Sequence, residues 1–81
     1  MNRTEALDLV RESISRAVPG ADVAALGPDA PFRDALEMDS LDFLSFVEIL
    51  GERSGIRIED EDASRLSTLD GAADFLLART R

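Results

Sequence analysis

The most informative absences in this 81-residue chain are three amino-acid types: it contains no cysteine, no histidine and no lysine. Without cysteine the chain can form neither a disulfide framework nor a thiolate metal site, and we expect no bound metal. Histidine and lysine are the side chains that usually activate a serine nucleophile. We therefore expect a non-catalytic protein in which Ser40 is a substrate of another enzyme.

Long apolar segments are also absent. No run of 18 apolar residues occurs, so we expect no membrane span, and the first five residues lack the apolar stretch of a signal peptide. A cytoplasmic location is therefore the expectation. A hydrophobic content of 44% is still ample for a packed core, and the length suits a single domain over residues 1–81.

The net charge of −8 is confined to one part of the chain. Residues 34–62 contain ten acidic residues and two arginines, whereas the remaining residues contain seven of each sign. An acidic surface repels phosphates, so nucleic acid is not an expected partner. The acidic segment is interpreted either as a solvated surface that keeps the protein soluble or as a target for partners with basic surfaces.

Apolar residues at helical spacing predict the main elements. The first helix is expected over Arg3–Val18, with Asn2 and Glu5 as a capping box and Pro19-Gly20 as its end. The second helix is expected to begin at Asp39 or Ser40, because Asp39 is a good N-cap, and to end at Ser54-Gly55.

Two further helical segments follow. A short helical turn is expected within Glu59–Leu66, and a last helix from Ser67 or Thr68, with Ser67 and Asp70 close to a capping box and Arg79 and Arg81 at its C-terminal end. Ala21–Glu37 is predicted to be a long loop. The fold class is therefore all-α: a small four-helix bundle of three main helices and one short helix, with a long loop between the first two.

The second predicted helix has two different faces. On a helical wheel one arc is apolar and is predicted to face the core (Phe43, Phe46, Val47 and Leu50). The opposite arc is polar (Asp42, Ser45, Glu48 and Glu52), yet Leu41 falls in its middle and Leu44 at its margin. A leucine among carboxylates beside a serine suggests a partner-binding hot spot with an acidic rim.

The motif Asp39-Ser40-Leu41-Asp42, together with Pro31-Phe32 and Leu36 before it, resembles the loop and second helix of acyl carrier proteins. Ile56–Glu61 and Leu66–Leu69 resemble later segments of that family, with no gap needed from Phe32 onward. The resemblance implies that Ser40 carries 4′-phosphopantetheine, derived from coenzyme A, through a phosphodiester, with Asp39 as part of the flanking motif.

The resemblance also implies partners and a cargo. The partners would be a phosphopantetheinyl transferase and acyl-loading and acyl-processing enzymes with basic docking surfaces, acting on a monomer in fatty-acid, lipid or polyketide-type biosynthesis. The cargo would rest between the helices, in a cleft for which the candidate residues are Phe43, Val47, Leu50, Ile58, Ala63 and Leu66, although the same residues also suit an ordinary core. An aminoacyl or peptidyl carrier and an unmodified acidic adaptor are the alternatives.

Some positions depart from the family pattern. Glu37 stands where many members have glycine, and Ser45 stands where fatty-acid carriers often have an acidic residue. Gly51 falls in the second half of the predicted helix and should weaken it by about 0.5–1 kcal/mol relative to alanine. These departures indicate a specialised carrier with its own set of partners.

Self-repulsion within residues 34–62 leads to a prediction about salt. Ionic strength of about 0.15 M screens exposed charges beyond roughly 8 Å, so added salt should raise the melting temperature. Thermal unfolding followed by circular dichroism over a series of sodium chloride concentrations measures this. A melting temperature that is indifferent to salt would show that the acidic segment does not repel itself appreciably.

Overall fold

The computed structural model describes residues 1–80, and these form an all-α fold in which three main helices surround one core. The predicted fold class is confirmed. The α-helices are α1 (Arg3–Ala17), α2 (Phe32–Ala35), α3 (Ser40–Ser54) and α4 (Leu69–Arg79). Two short 3-10 helices, at Val23–Ala25 and Asp60–Arg65, complete the order of elements, and the second of them is the helical turn predicted within Glu59–Leu66.

The segment between α1 and α3 is more ordered than the predicted loop. It contains the first 3-10 helix and α2, and Phe32 at the start of α2 is fully buried. The Phe32 N–H donates to the Ser67 carbonyl oxygen at 3.2 Å, and Pro31 forms an isolated bridge with Thr68. A four-residue helix is too short to produce a recognisable apolar period, which is why the sequence pattern did not predict α2.

The N-terminal caps of α1 and α3 agree with the predictions. Asn2 accepts from the Glu5 N–H at 2.8 Å while the Glu5 carboxylate accepts from the Asn2 N–H at 3.0 Å. Asp39 likewise accepts from the Asp42 N–H at 2.8 Å, which fixes Ser40 as the first residue of α3. At the other end of α3, Gly55 adopts the left-handed conformation typical of a helix C-terminus.

The predicted capping box of the last helix is wrong. The cap is Thr68, whose hydroxyl accepts from the Gly71 N–H at 2.9 Å. Because α4 begins one residue later than a Ser67 cap requires, the third helical position is Gly71, which has no side chain to complete a box. Arg79 does lie in the last turn of α4, and Arg81 lies outside the described residues.

The core lies where α1 packs against both α3 and α4. Phe32 and Phe46 meet edge to face at the centre, with ring centroids 5.2 Å apart. Phe43 and Val47, predicted to be core residues, are only partly buried and lie at the edge of the core. The fully buried apolar side chains are Ala6, Val10, Ile14, Phe32, Phe46, Leu50, Leu66, Leu69, Ala72, Ala73 and Leu76.

Glu37 is the one non-glycine residue of the described chain with a positive φ, at 52°. It follows the end of α2, and the next residue, Met38, donates from its N–H to the Arg33 carbonyl oxygen at 2.8 Å. The left-handed conformation costs an L-residue about 1–2 kcal/mol, and glycine avoids most of that cost. The backbone therefore explains why glycine suits this position.

Replacing Glu37 with glycine should therefore stabilise the protein. We expect Glu37→Gly to raise the free energy of unfolding by about 0.5–1 kcal/mol, after the greater flexibility of glycine in the unfolded chain is subtracted. Urea unfolding measures this. Glu37→Gln is the matched control, because it removes the charge and keeps the Cβ atom. Equal stabilisation by both variants would show that charge repulsion, and not backbone strain, is relieved.

Candidate functional site

Ser40 lies at the exposed N-terminal end of α3, and its side chain makes none of the hydrogen bonds of the helix cap. The cap is formed by Asp39 and Asp42, so the Ser40 hydroxyl remains available. The first turn of a 15-residue helix also presents backbone N–H groups and the positive end of the helix dipole. An anionic group attached to Ser40 would therefore lie in a favourable field.

Arg33 is a member of this site that the sequence analysis did not identify. Its Nη2 donates to Ser40 Oγ at 3.3 Å, and its guanidinium carbon lies 4.9 Å from the centroid of the Phe43 ring. The fold of α2 and the following turn brings Arg33 back beside a serine seven residues later. A signal was present in the sequence, since Arg33 is the only cationic residue within residues 17–52.

A cavity of about 330 Å³ opens beside Ser40 and Arg33. It lies between α3 and the segment that runs from Ile58 into the second 3-10 helix. Its walls are mainly apolar, from Phe43, Leu44, Val47, Ile58 and Ala63, and Glu59 and Asp60 add carboxylates at its edge. Four of the six candidate cleft residues, Phe43, Val47, Ile58 and Ala63, are thus brought together around one space.

The other two candidates, Leu50 and Leu66, do not line this cavity. Both are fully buried in the core. Leu50 lies seven residues further along α3 than Phe43, which is about 10 Å at the helical rise and places it beyond the cavity. Leu66 follows the second 3-10 helix and joins the core cluster that includes α4.

The wall of the cavity opposite α3 is tied to the last helix by an ion pair. Asp62, in the second 3-10 helix, is buried and accepts from Arg79 Nη2 at 3.2 Å. The Asp62 carboxylate also accepts from the Glu59 N–H at 3.0 Å. Asp62 therefore has a structural role, whereas the neighbouring Asp60 and Glu61 are exposed.

The outward face of α3 carries two exposed leucines. Leu41 is 73% exposed and Leu44 is 53% exposed, and Ser45, Glu48 and Glu52 are exposed as well. Asp42 departs from the predicted solvent face, because it is half-buried and its carboxylate accepts from the Asp39 N–H at 3.4 Å. Charge changes at Asp42 would therefore disturb the cap, and Glu48 is the cleaner position at which to test charge.

Two kinds of feature are not found within residues 1–80. No group of three or more acidic side chains is arranged to hold a metal ion. No helix of this part of the chain is long and apolar enough to cross a membrane.

Comparison with known proteins gives a consistent result. The family model described as the phosphopantetheine attachment site matches residues 8–76. The acyl carrier protein of Rubrobacter xylanophilus is 35% identical over 77 residues, which cover 95% of this chain and 94% of that protein. The acyl carrier protein of Thermosynechococcus vestitus is 33% identical over 76 residues, which cover 94% of this chain and 93% of that protein.

A solved structure agrees with these relatives. The structure of the acyl carrier protein from Enterococcus faecalis, a protein of high thermal stability, matches this chain with a TM-score of 0.79 and 29% sequence identity. The match covers 99% of this chain and 100% of that chain. The arrangement of helices around the cavity is therefore that of an acyl carrier protein fold.

The exposure of Leu41 leads to a prediction about recognition. Leu41→Ala should change the free energy of unfolding by less than about 0.5 kcal/mol, because the side chain is exposed. If partners use Leu41 as an anchor, the same change should weaken binding to a phosphopantetheinyl transferase by more than about 1 kcal/mol. Isothermal titration calorimetry and thermal unfolding measure the two quantities.

Phe46→Ala is the contrasting variant, since it empties a fully buried position and should cost about 3–5 kcal/mol of stability. Val47→Ala should cost less than a core truncation, because Val47 is only partly buried. Unchanged affinity and unchanged stability in Leu41→Ala would place the recognition surface elsewhere on the protein.

Proposed function

This chain belongs to the acyl carrier protein family, and on that premise we propose that Ser40 is the residue to which its 4′-phosphopantetheine arm is attached. A carrier of this family is not itself an enzyme. It holds acyl groups as thioesters on the arm and interacts with the transferase and with the enzymes that act on its cargo. The arm supplies the thiol that this chain, which has no cysteine, cannot provide.

The observation that carries the proposal is the exposed hydroxyl of Ser40 at a helix N-terminus beside an apolar cavity. The residues present fit the group. Arg33 places a cation 3.3 Å from the hydroxyl, and the walls of the cavity next to it are mainly apolar. The cation of Arg33 suits a phosphodiester, and the apolar walls of the cavity suit part of an acyl chain.

Attachment requires an external enzyme, because this chain has neither histidine nor lysine, the side chains that usually activate a serine hydroxyl. In the step, Ser40 Oγ forms a bond to the phosphorus that bears the pantetheine part of coenzyme A. The phosphoanhydride bond to the departing nucleotide breaks, and the hydroxyl proton passes to a base of the transferase. The role of this chain is to hold Oγ exposed at a fixed place, which the Asp39 cap does.

The choice of pathway and partners is also part of the proposal. We place the carrier in fatty-acid, lipid or polyketide-type biosynthesis, in the cytoplasm, as a monomer. Its enzymes would have basic docking surfaces that meet Leu41, Leu44, Glu48 and Glu52 on the outward face of α3. Ser45, exposed on the same face, provides no charge where fatty-acid carriers often have one, which supports a specialised set of partners.

Mass spectrometry tests the attachment site. Incubation with coenzyme A and a broad-specificity transferase should add the mass of one phosphopantetheine to the protein, and Ser40→Ala should abolish the gain. Ser45→Ala is the matched control, since it removes an exposed hydroxyl from the same helix and should leave the gain unchanged. Loss of the gain in Ser45→Ala alone would overturn the assignment to Ser40.

A failure of several transferases to modify the native protein would instead favour the unmodified adaptor. Once modified, the protein can be offered to acyl-loading and aminoacyl-loading enzymes with their substrates. Formation of acyl thioesters supports the proposed cargo class, whereas exclusive formation of aminoacyl thioesters would reassign the protein to the aminoacyl carriers.

A further inference from the structure

Arg33 has no carboxylate partner, unlike the two arginines that lie within residues 34–62. Arg53 pairs with Glu12 at 2.9 Å and Arg57 with Glu59. Within residues 1–80 no carboxylate forms an ion pair with Arg33, even though acidic residues surround it in the sequence. Its guanidinium is directed instead at the hydroxyl of Ser40.

The two carboxylates that flank Ser40 are used in the helix cap. Asp39 and Asp42 accept from each other's backbone N–H groups in the cap of α3. These hydrogen bonds hold both carboxylates at the helix end, which leaves the guanidinium of Arg33 with spare donors at the Ser40 hydroxyl.

The Arg33 guanidinium is restrained before any ligand binds. It lies over the Phe43 ring, and stacking on an aromatic face restricts the side chain at little cost. The Arg33 backbone carbonyl is held by the Met38 N–H at 2.8 Å, so the turn after α2 restrains the main chain as well. A planar fork of donors that is held at one place is well suited to a phosphate.

We propose that Arg33 is a positioning residue that binds the phosphate of the arm, a proposal that rests on the attachment of that arm to Ser40. Arg33 neutralises the negative charge that modification adds to an already acidic region. It also holds the start of the arm at the mouth of the cavity, which Arg33 itself lines together with Phe43 and Ala63.

The test compares the unmodified and modified forms of three proteins: native, Arg33→Gln and Arg16→Gln. Modification is driven to completion and verified by mass. The first readout is the change in melting temperature on modification. We expect this change to be more negative in Arg33→Gln than in the native protein by roughly 2–4 °C, because the phosphate then adds uncompensated charge among carboxylates.

Arg16→Gln is the matched control. It removes the same charge near the C-terminal end of α3, where Arg53 still pairs with Glu12 after Arg16 is lost. That end is about 20 Å from Ser40 along a helix of 15 residues. The change in melting temperature on modification should therefore equal that of the native protein.

The second readout is the ³¹P chemical shift of the modified protein, which reports the surroundings of the phosphate and not the stability of the fold. In Arg33→Gln it should move towards the value that the same modified protein gives when unfolded in urea, and in Arg16→Gln it should equal the native value. Arg33→Lys keeps the charge but lacks the planar fork of donors, so it should give an intermediate ³¹P shift. It replaces Arg33→Gln as the test variant if Arg33→Gln folds poorly.

The outcomes separate the two proposals. Complete modification of every protein, with the same melting change and the same ³¹P shift in native and Arg33→Gln, would overturn the role of Arg33 and leave the attachment to Ser40 intact. No modification of the native protein by any transferase would overturn the attachment and the role of Arg33 together.

Discussion

The burial of Phe32 is the contact on which the site depends. Its ring packs edge to face on Phe46 of α3, and its N–H is bonded to the Ser67 carbonyl oxygen just before α4. Phe32 thereby attaches the connecting segment both to α3 and to the residue that precedes the cap of α4. Because α2 starts at Phe32, this anchor decides where Arg33 points and where the chain turns into the Asp39 cap. The geometry around Ser40 is therefore a consequence of the core contact that Phe32 makes.

Helix α3 combines three surfaces in 15 residues. Phe46 is buried in the core, Phe43 lies at the edge where the cavity opens, and Leu41 is exposed. If the proposed roles hold, the three faces of this helix separate stability, cargo space and recognition. Such a separation would let partner contacts change without loss of the fold, because an exposed leucine adds little to stability whereas a buried phenylalanine adds much.

Local signals in the sequence predicted a large part of this arrangement. Asn2 with Glu5 and Asp39 before Ser40 indicated where two helices begin, and the helical wheel placed Leu41 outside and Phe46 inside.

The same signals failed where the structure is set by contacts distant in sequence. The cap of α4 is Thr68, which is also the residue that pairs with Pro31, 37 positions earlier in the chain. Arg33 was missed because its position beside Ser40 results from α2, which is too short to have a period. The charge count did not draw attention to Arg33 either, because the acidic segment begins one residue later, at position 34.

The central claim is that the arm is attached to Ser40, and localisation of the modification by peptide fragmentation tests it most directly. Cleavage after Arg33 and Arg53 releases residues 34–53, in which Ser40 and Ser45 are the only hydroxyl side chains. Fragment masses from the modified protein should place the phosphopantetheine on Ser40. Its presence on Ser45, or on a peptide outside residues 34–53, would contradict the account.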